Sequence, residues 1–394
     1  MNRRQFLRTG LLAGAALAGA PMLNLGRCRL LGSPGPAIST RAADLVLGSR
    51  VIDMLSLLTL DWPKLLRWHQ GRAAFVERDF RALEIAGIDI LHPAVETSSA
   101  DPAGAAERWI GGWNSLLGSQ GCFLARVDSP ATLRAVPQQG KLGVILGFQN
   151  SNHFRTAEDV AAFYRRGQRL SQLTYNSRNE LGSGCYEARD DGLSPFGAAV
   201  VAEMNRLGMA IDVSHCGERT SRDAIAASRQ PVLATHSNCR ALVAVQPRCK
   251  SDSLIRELAA RGGVMGITMV RPFVSSSPSP NLDHVLDHFD HVARLVGAEH
   301  VGLGSDVDVT GIDPATGRRN PIYDIAGLEP RARVFQIADG LLRRGWSGRA
   351  IELILGENFR RALGEIWKDS KPRNLPTRRD PFCPAPRRRV PRVT

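Results

Sequence analysis

The seven cysteines of this 394-residue chain form no CxxC pair, which removes the zinc ribbons and thioredoxin-like redox sites that such spacing announces. Cys122, Cys185, Cys216, Cys239 and Cys249 fall in or beside expected strands and loops, where free cysteine behaves as a small buried hydrophobe. A disulfide is compatible with an oxidising compartment, yet no pairing is legible. Aromatic residues are scarce at 6%, and no basic stripe is interleaved with them, so nucleic acid is not an expected partner. No Gly/Ser/Pro-rich linker cuts the middle of the chain, which favours one large domain over two. The early apolar run from Leu11 to Ala20 is too short to serve comfortably as a permanent membrane span.

Positive charge is what the sequence has in excess, and its location matters more than its total. The formal charge is +13, but from Lys371 onward eight basic residues face one acid, Asp380, and Arg3, Arg4 and Arg8 add three more. The body therefore carries about +3, an ordinary value for a globular domain. The segment Asn2-Arg3-Arg4-Gln5-Phe6-Leu7-Arg8, followed by a short Ala/Gly-rich apolar run, has the pattern of a twin-arginine export signal. Residues 1–35 are thus expected to be signal and spacer, cleaved near Ala18-Gly19-Ala20, with the twin-arginine machinery as partner and the periplasm as destination. Residues 369–394, rich in Pro and Arg, read as a solvated, disordered tail; loose attraction to an anionic membrane is the alternative.

Between these ends, short β-branched runs alternate with longer amphipathic stretches, the rhythm of βα units around a parallel sheet. The candidate strands are 51–58, 87–95, 143–149, 170–176, 209–215, 232–238, 262–269 and 301–306. Eight such units specify an α/β fold of the (β/α)8 TIM-barrel type over residues 45–368. A further run at 122–127 precedes the helix-start pattern Ser129-Pro130 and is assigned to an accessory element.

Gln149, His215, His236 and Asp306 each close an apolar strand at its C-terminal end, where barrel enzymes place their chemistry. Two imidazoles from neighbouring strands can hold a zinc ion from one side. Taken singly, each histidine is as readily a buried side chain satisfied by hydrogen bonds. Asp306 suits a proton shuttle for a metal-activated water, or else an N-cap for the segment that follows.

In order and spacing, His215 in IDVSH, His236 in ATHSN, Arg248 after Gln246-Pro247, Asp306 in GLGSD and the late Gly356-Glu357-Asn358-Phe359-Arg360 resemble the membrane (renal-type) dipeptidases. These are zinc peptidases with an amidohydrolase-like barrel. The resemblance implies a binuclear zinc centre that splits dipeptides. It assigns His215 and His236 to one zinc, Arg248 to the substrate carboxylate and Asp306 to catalysis. Elsewhere the chain departs from the pattern. Where the first strand should carry His-x-Asp, it has Leu55 and Leu57; the bridging Glu is Gln149; a substrate-contacting His is Tyr175. Leucine cannot ligate a metal, and a glutamine carbonyl is a neutral stand-in for a bridging charge. The expectation is therefore one zinc, on His215 and His236 with Gln149 and water. Asp53, His92, His153 and Asp308 are the polar residues available to rebuild the rest.

The expected function is hydrolysis of dipeptides or related amides by metal-activated water, on a small peptide or amino-acid-derived substrate, with room for a homodimer. Two alternatives remain open. One is a binding protein that kept the barrel and Arg248 but lost hydrolysis; the other is a barrel enzyme acting on a modified amino acid.

Overall fold

The structure, a computed structural model, describes residues 37–72 and 75–369, with the backbone of the short strand Arg27–Cys28. The twin-arginine segment and the basic tail lie outside the described residues.

Eight short parallel strands form the wall of a barrel. They are Ile52–Asp53, Ile90–Leu91 continued by Ala94–Val95, Leu142–Val144 continued by Gly147–Phe148, Leu170–Gln172, Ala210–Asp212, Ala234–Ser237, Met265–Ile267 and Val301–Leu303. Parallel pairing runs from strand one through strand four to strand five, and a single bridge between Asp212 and Leu233 joins five to six. Strands six, seven and eight follow, and Leu303 pairs with Asp53 to close the ring. The expected accessory run is the strand Leu124–Arg126, which pairs with the first half of strand three. Ser129 then caps the helix Pro130–Gln138 with a reciprocal box to Thr132, satisfying donors that the first helical turn leaves free.

Apolar side chains divide between two packing layers. Ile52, Met54, Ile90, Ile145, Leu170, Ala210, Leu233 and Val264 belong to one cluster that Phe359, Leu363 and Trp367 complete. The helix Asn358–Ile366 thus closes the floor of the barrel. A side chain at Gly356 would place its Cβ 2.0 Å from the Arg50 carbonyl oxygen, so the GENFR motif serves the floor, at the end opposite the strand-terminal histidines. The larger cluster lies between the sheet and the surrounding helices, including Thr40–Gly48, Pro195–Leu207, Leu282–Val296 and Arg333–Arg343.

Closure between strands eight and one rests on polar residues as much as on the ladder. Asp53, fully buried, accepts from the Ser305 amide at 2.8 Å and its hydroxyl at 2.5 Å, and pairs with Arg333 at 3.1 Å. Arg333 also donates to Ser56 Oγ and the Pro330 carbonyl. No described helix is long and apolar enough to cross a membrane.

Candidate active site

Strands five and six end on a buried carboxylate that sets the orientation of both histidines. Asp212 accepts from the Ser214 amide and hydroxyl at 2.9 and 2.6 Å, and from the Thr235 amide and hydroxyl at 3.0 and 2.6 Å. The single hydroxyl hydrogen of Thr235 is thereby spent on Asp212. Its oxygen, 2.8 Å from His236 Nδ1, is left to accept, so His236 carries its proton on Nδ1. His215 Nδ1 donates to Asn176 Oδ1 at 2.7 Å. Both imidazoles thus present bare Nε2 lone pairs, and those two atoms face each other at 2.9 Å. Partners of this kind on the far nitrogen are what fix the tautomer of metal-binding histidines. Facing lone pairs without a proton or cation between them repel, so the pair is built to share one.

Tyr175 stacks on His215 with ring centroids 4.2 Å apart. Asn176 (φ 61°) and Asp306 (φ 58°) are the only non-glycine residues in the left-handed region among those described. Asn and Asp tolerate that region better than most side chains, and both outliers sit at the ends of barrel strands, beside the histidines or Arg248. Such local strain concentrates at functional sites.

Arg248 is buried beneath the histidines. It donates to the Ser214 carbonyl and Ser237 Oγ through Nη1, at 2.6 and 3.0 Å, and to the His236 carbonyl through Nη2 at 2.6 Å. Its Nε has no partner and, among the described residues, no carboxylate pairs with it. Lys250, equally buried, spends its ammonium on the Val213 and Cys216 carbonyls. Burial, reinforced by Arg248, by the other histidine ring or His92, and by Lys250, holds both histidines well below the usual imidazole range. Burial also depresses Lys250, with Arg248 adding to it. Asp306 keeps part of its surface open, yet crowding by protein atoms pushes its carboxyl up to about 7, with Arg248 opposing and Asp53 assisting. Burial and Asp306 likewise raise the Tyr175 phenol.

The structure gathers His215, His236, Arg248, Tyr175 and Asp306 at one end of the barrel. Gln149 is not joined to them: its amide donates to the Ala94 carbonyl at 3.1 Å. Leu55 is buried, and Leu57, half-buried, packs against the larger apolar cluster. None of the four substitute polar residues completes a metal cage. Asp53 is engaged with Arg333, and His92 donates Nδ1 to the Ile145 carbonyl at 2.9 Å. His153 lies among Phe148, Phe154 and Phe163, and Asp308 caps Thr310 and Gly311. Among the described residues, no group of three or more His, Cys, Asp or Glu side chains is placed to hold a metal ion. Cys185, Cys216, Cys239 and Cys249 are free and buried as expected, whereas Cys122 is disulfide-bonded; sequence spacing carries no signal for such a bond.

Sequence reasoning missed Asp212, Thr235, Asn176, Lys250 and Tyr323. The first two sit inside the motifs that flagged the histidines, and their polarity within apolar strands was the available signal. Tyr323, on the short helix Pro321–Tyr323, lies within electrostatic reach of Asp306 and Tyr175; its loop has no periodicity to announce it.

A sequence model of the membrane dipeptidases (Peptidase family M19) matches residues 108–376. That span begins after strand two, past the segment where the missing ligand pair would fall. The dipeptidase verJ of Clonostachys rogersoniana is 32% identical over 246 residues, covering 62% of this chain and 60% of that relative's length. Among solved structures, an amidohydrolase from Pseudomonas aeruginosa superposes with a TM-score of 0.71 at 29% identity, covering 83% of this chain and 99% of the other. The probable dipeptidase PvdM from the same organism gives a TM-score of 0.71 at 18% identity over 83% of this chain and 98% of its own, which speaks for the fold. With the family match spanning most of the barrel and the strand-end residues assembled as described, this chain belongs to the membrane dipeptidase family.

Proposed function

We propose that the protein hydrolyses an amide bond adjacent to a carboxylate, with at most one zinc ion at His215 and His236. The observation that carries this reading is the pair of bare Nε2 atoms 2.9 Å apart beside a buried guanidinium that, among the described residues, forms no salt bridge. Two zinc–nitrogen bonds of about 2.0–2.1 Å reach one ion from atoms at such a separation, with a compressed angle between them. The donor set therefore fits half of a single-ion site and does not fit the two-ion centre of the family. Arg248 and Lys250 add positive field, and no bridging carboxylate offsets it, so the ion is expected to bind weakly. When bound, zinc supplies Lewis acidity to the carbonyl and to water.

Arg248 receives the substrate carboxylate and fixes the amide relative to the histidines. Asp306, held near neutrality, accepts a proton from the attacking water and returns it to the leaving nitrogen. The water oxygen adds to the acyl carbon, the C–N bond breaks, and acid and amine depart. Tyr175 offers a phenol donor beside His215. The names of the relatives, a dipeptidase and an amidohydrolase, agree with this class of reaction. On the reading of the first residues as an export signal, the work is done in the periplasm.

A panel of dipeptides and N-acylated amino acids, assayed for amine release with and without added zinc, tests the proposal. Turnover abolished by His215→Ala supports it. No release from any substrate at any zinc level overturns it, in favour of the second reading, a carboxylate-binding protein, which Leu55 and Leu57 at ligand positions favour.

A further inference from the structure

The charges at the strand ends define what kind of carboxylate fits. Arg248 and Lys250 are both buried, and neither has an ion-pair partner among the described residues. The other acids of these strands are occupied, Asp53 by Arg333 and Ser305, and Asp212 by Ser214 and Thr235. Asp306 stands beside Arg248, and Glu96 is exposed further out, bonded to the Ser98 amide. A free dipeptide brings an ammonium as well as a carboxylate. That ammonium would enter a field of two buried cations, and a bound zinc ion would only add to the repulsion. An N-acylated amino acid brings the carboxylate alone.

The rim supplies the complementary surface. Tyr186, Leu242 and Val245 are exposed, Val245 by 83%. Tyr186 follows Cys185, whose amide donates to the His215 carbonyl, and its own amide donates to the Asn176 carbonyl. Its hydroxyl donates to Gln246 Oε1 at 3.0 Å, which fixes the ring against the loop that carries Leu242, Val245 and Arg248. Successive turns link Cys239 to Leu242, Val243 to Gln246, and Gln246 to Cys249. Val245 and Arg248 are three residues apart, so rim and anchor are separated by at most about 10 Å of chain. Exposed apolar side chains grouped beside a polar anchor mark a ligand-binding surface.

We propose that the substrate class is the N-acylated amino acid or N-blocked peptide. Its carboxylate sits on Arg248, and its acyl group lies on Tyr186, Leu242 and Val245. This rests on the amide-hydrolase reading for the fate of the ligand, but not for its binding.

Calorimetry on the whole protein, with and without zinc, compares N-octanoyl-L-alanine, N-acetyl-L-alanine, L-alanyl-L-alanine and N-octanoyl-L-alaninamide. The octanoyl acid should bind at least about tenfold more tightly than the acetyl acid, as burial of several methylenes requires, and more tightly than the dipeptide. The carboxamide should bind at least about tenfold more weakly than the acid; it tests the Arg248 contact without disturbing the backbone that Arg248 clamps. Leu242→Ser combined with Val245→Ser should erase most of the octanoyl advantage. Equal affinity for octanoyl and acetyl acids, or preference for the dipeptide, overturns the inference. Amine release, measured separately, distinguishes the two readings: tight binding without cleavage of any ligand strikes the hydrolase reading alone, and cleavage of dipeptides without acyl binding strikes this one alone.

Discussion

Asp306 combines a left-handed backbone with a carboxyl held near 7, and this gives the residue a thermodynamic signature separate from catalysis. An unfolded aspartate loses its proton near 3.9. Between about 4 and 7, therefore, the folded chain holds a proton that the unfolded chain has released, and stability falls as pH rises through that window. Above about 7 both states are ionised and the full penalty is present. Asp306→Asn should flatten this dependence, raising the melting temperature at pH 8 relative to wild type while leaving it almost unchanged at pH 4. The same variant should lose amide hydrolysis, whose rate in the wild type should climb as pH passes through about 7. Thermal scans across pH with parallel rate measurements check both; a variant less stable than wild type at pH 8 contradicts the burial argument. The histidines and Asp306 were legible in the sequence because each is a polar residue closing an apolar run, and Arg248 through the family resemblance alone. The tautomers were not, since they depend on Asp212 and Thr235 meeting across two strands.

The elements that close the barrel depend on one buried ion pair. Asp53 and Arg333 are each 1% exposed at the side chain and are 280 positions apart in sequence. Removing one partner of such a pair leaves an uncompensated buried charge, at a cost of about 3–5 kcal/mol. Arg333→Met should therefore lower unfolding free energy by that amount in urea titrations and loosen strand one against strand eight. A loss below about 1 kcal/mol would show that Ser305 alone satisfies Asp53. Seven of the eight strands fall in the segments that their apolar runs marked and the third starts one residue earlier, at Leu142, while the accessory strand at Leu124–Arg126 was legible from the helix cap that follows it. Asp53 read as a spare metal ligand because a sequence cannot show that Arg333, on a distant helix, already holds it. Gln149 stands at a strand end as its position in the sequence indicated, and its amide nitrogen donates to the Ala94 carbonyl.

At the scale of the whole molecule, a dipeptidase-family barrel carries leucines and an amide where the family resemblance implies a His, an Asp and a bridging Glu, and it holds a histidine pair beside two buried cations. From the paired arginines at the start of the chain we propose delivery to the periplasm. With Arg3 and Arg4 both changed to Lys, the folded protein should remain in the cytoplasm, and unchanged export would contradict that assignment. The central claim, however, concerns the metal. Elemental analysis of protein equilibrated with excess zinc and then freed of unbound ion tests it most directly. The account predicts no more than one zinc per chain in the wild type, and none in His215→Ala or His236→Ala. Two tightly held zinc ions per wild-type chain, or one that survives loss of both histidines, would contradict it.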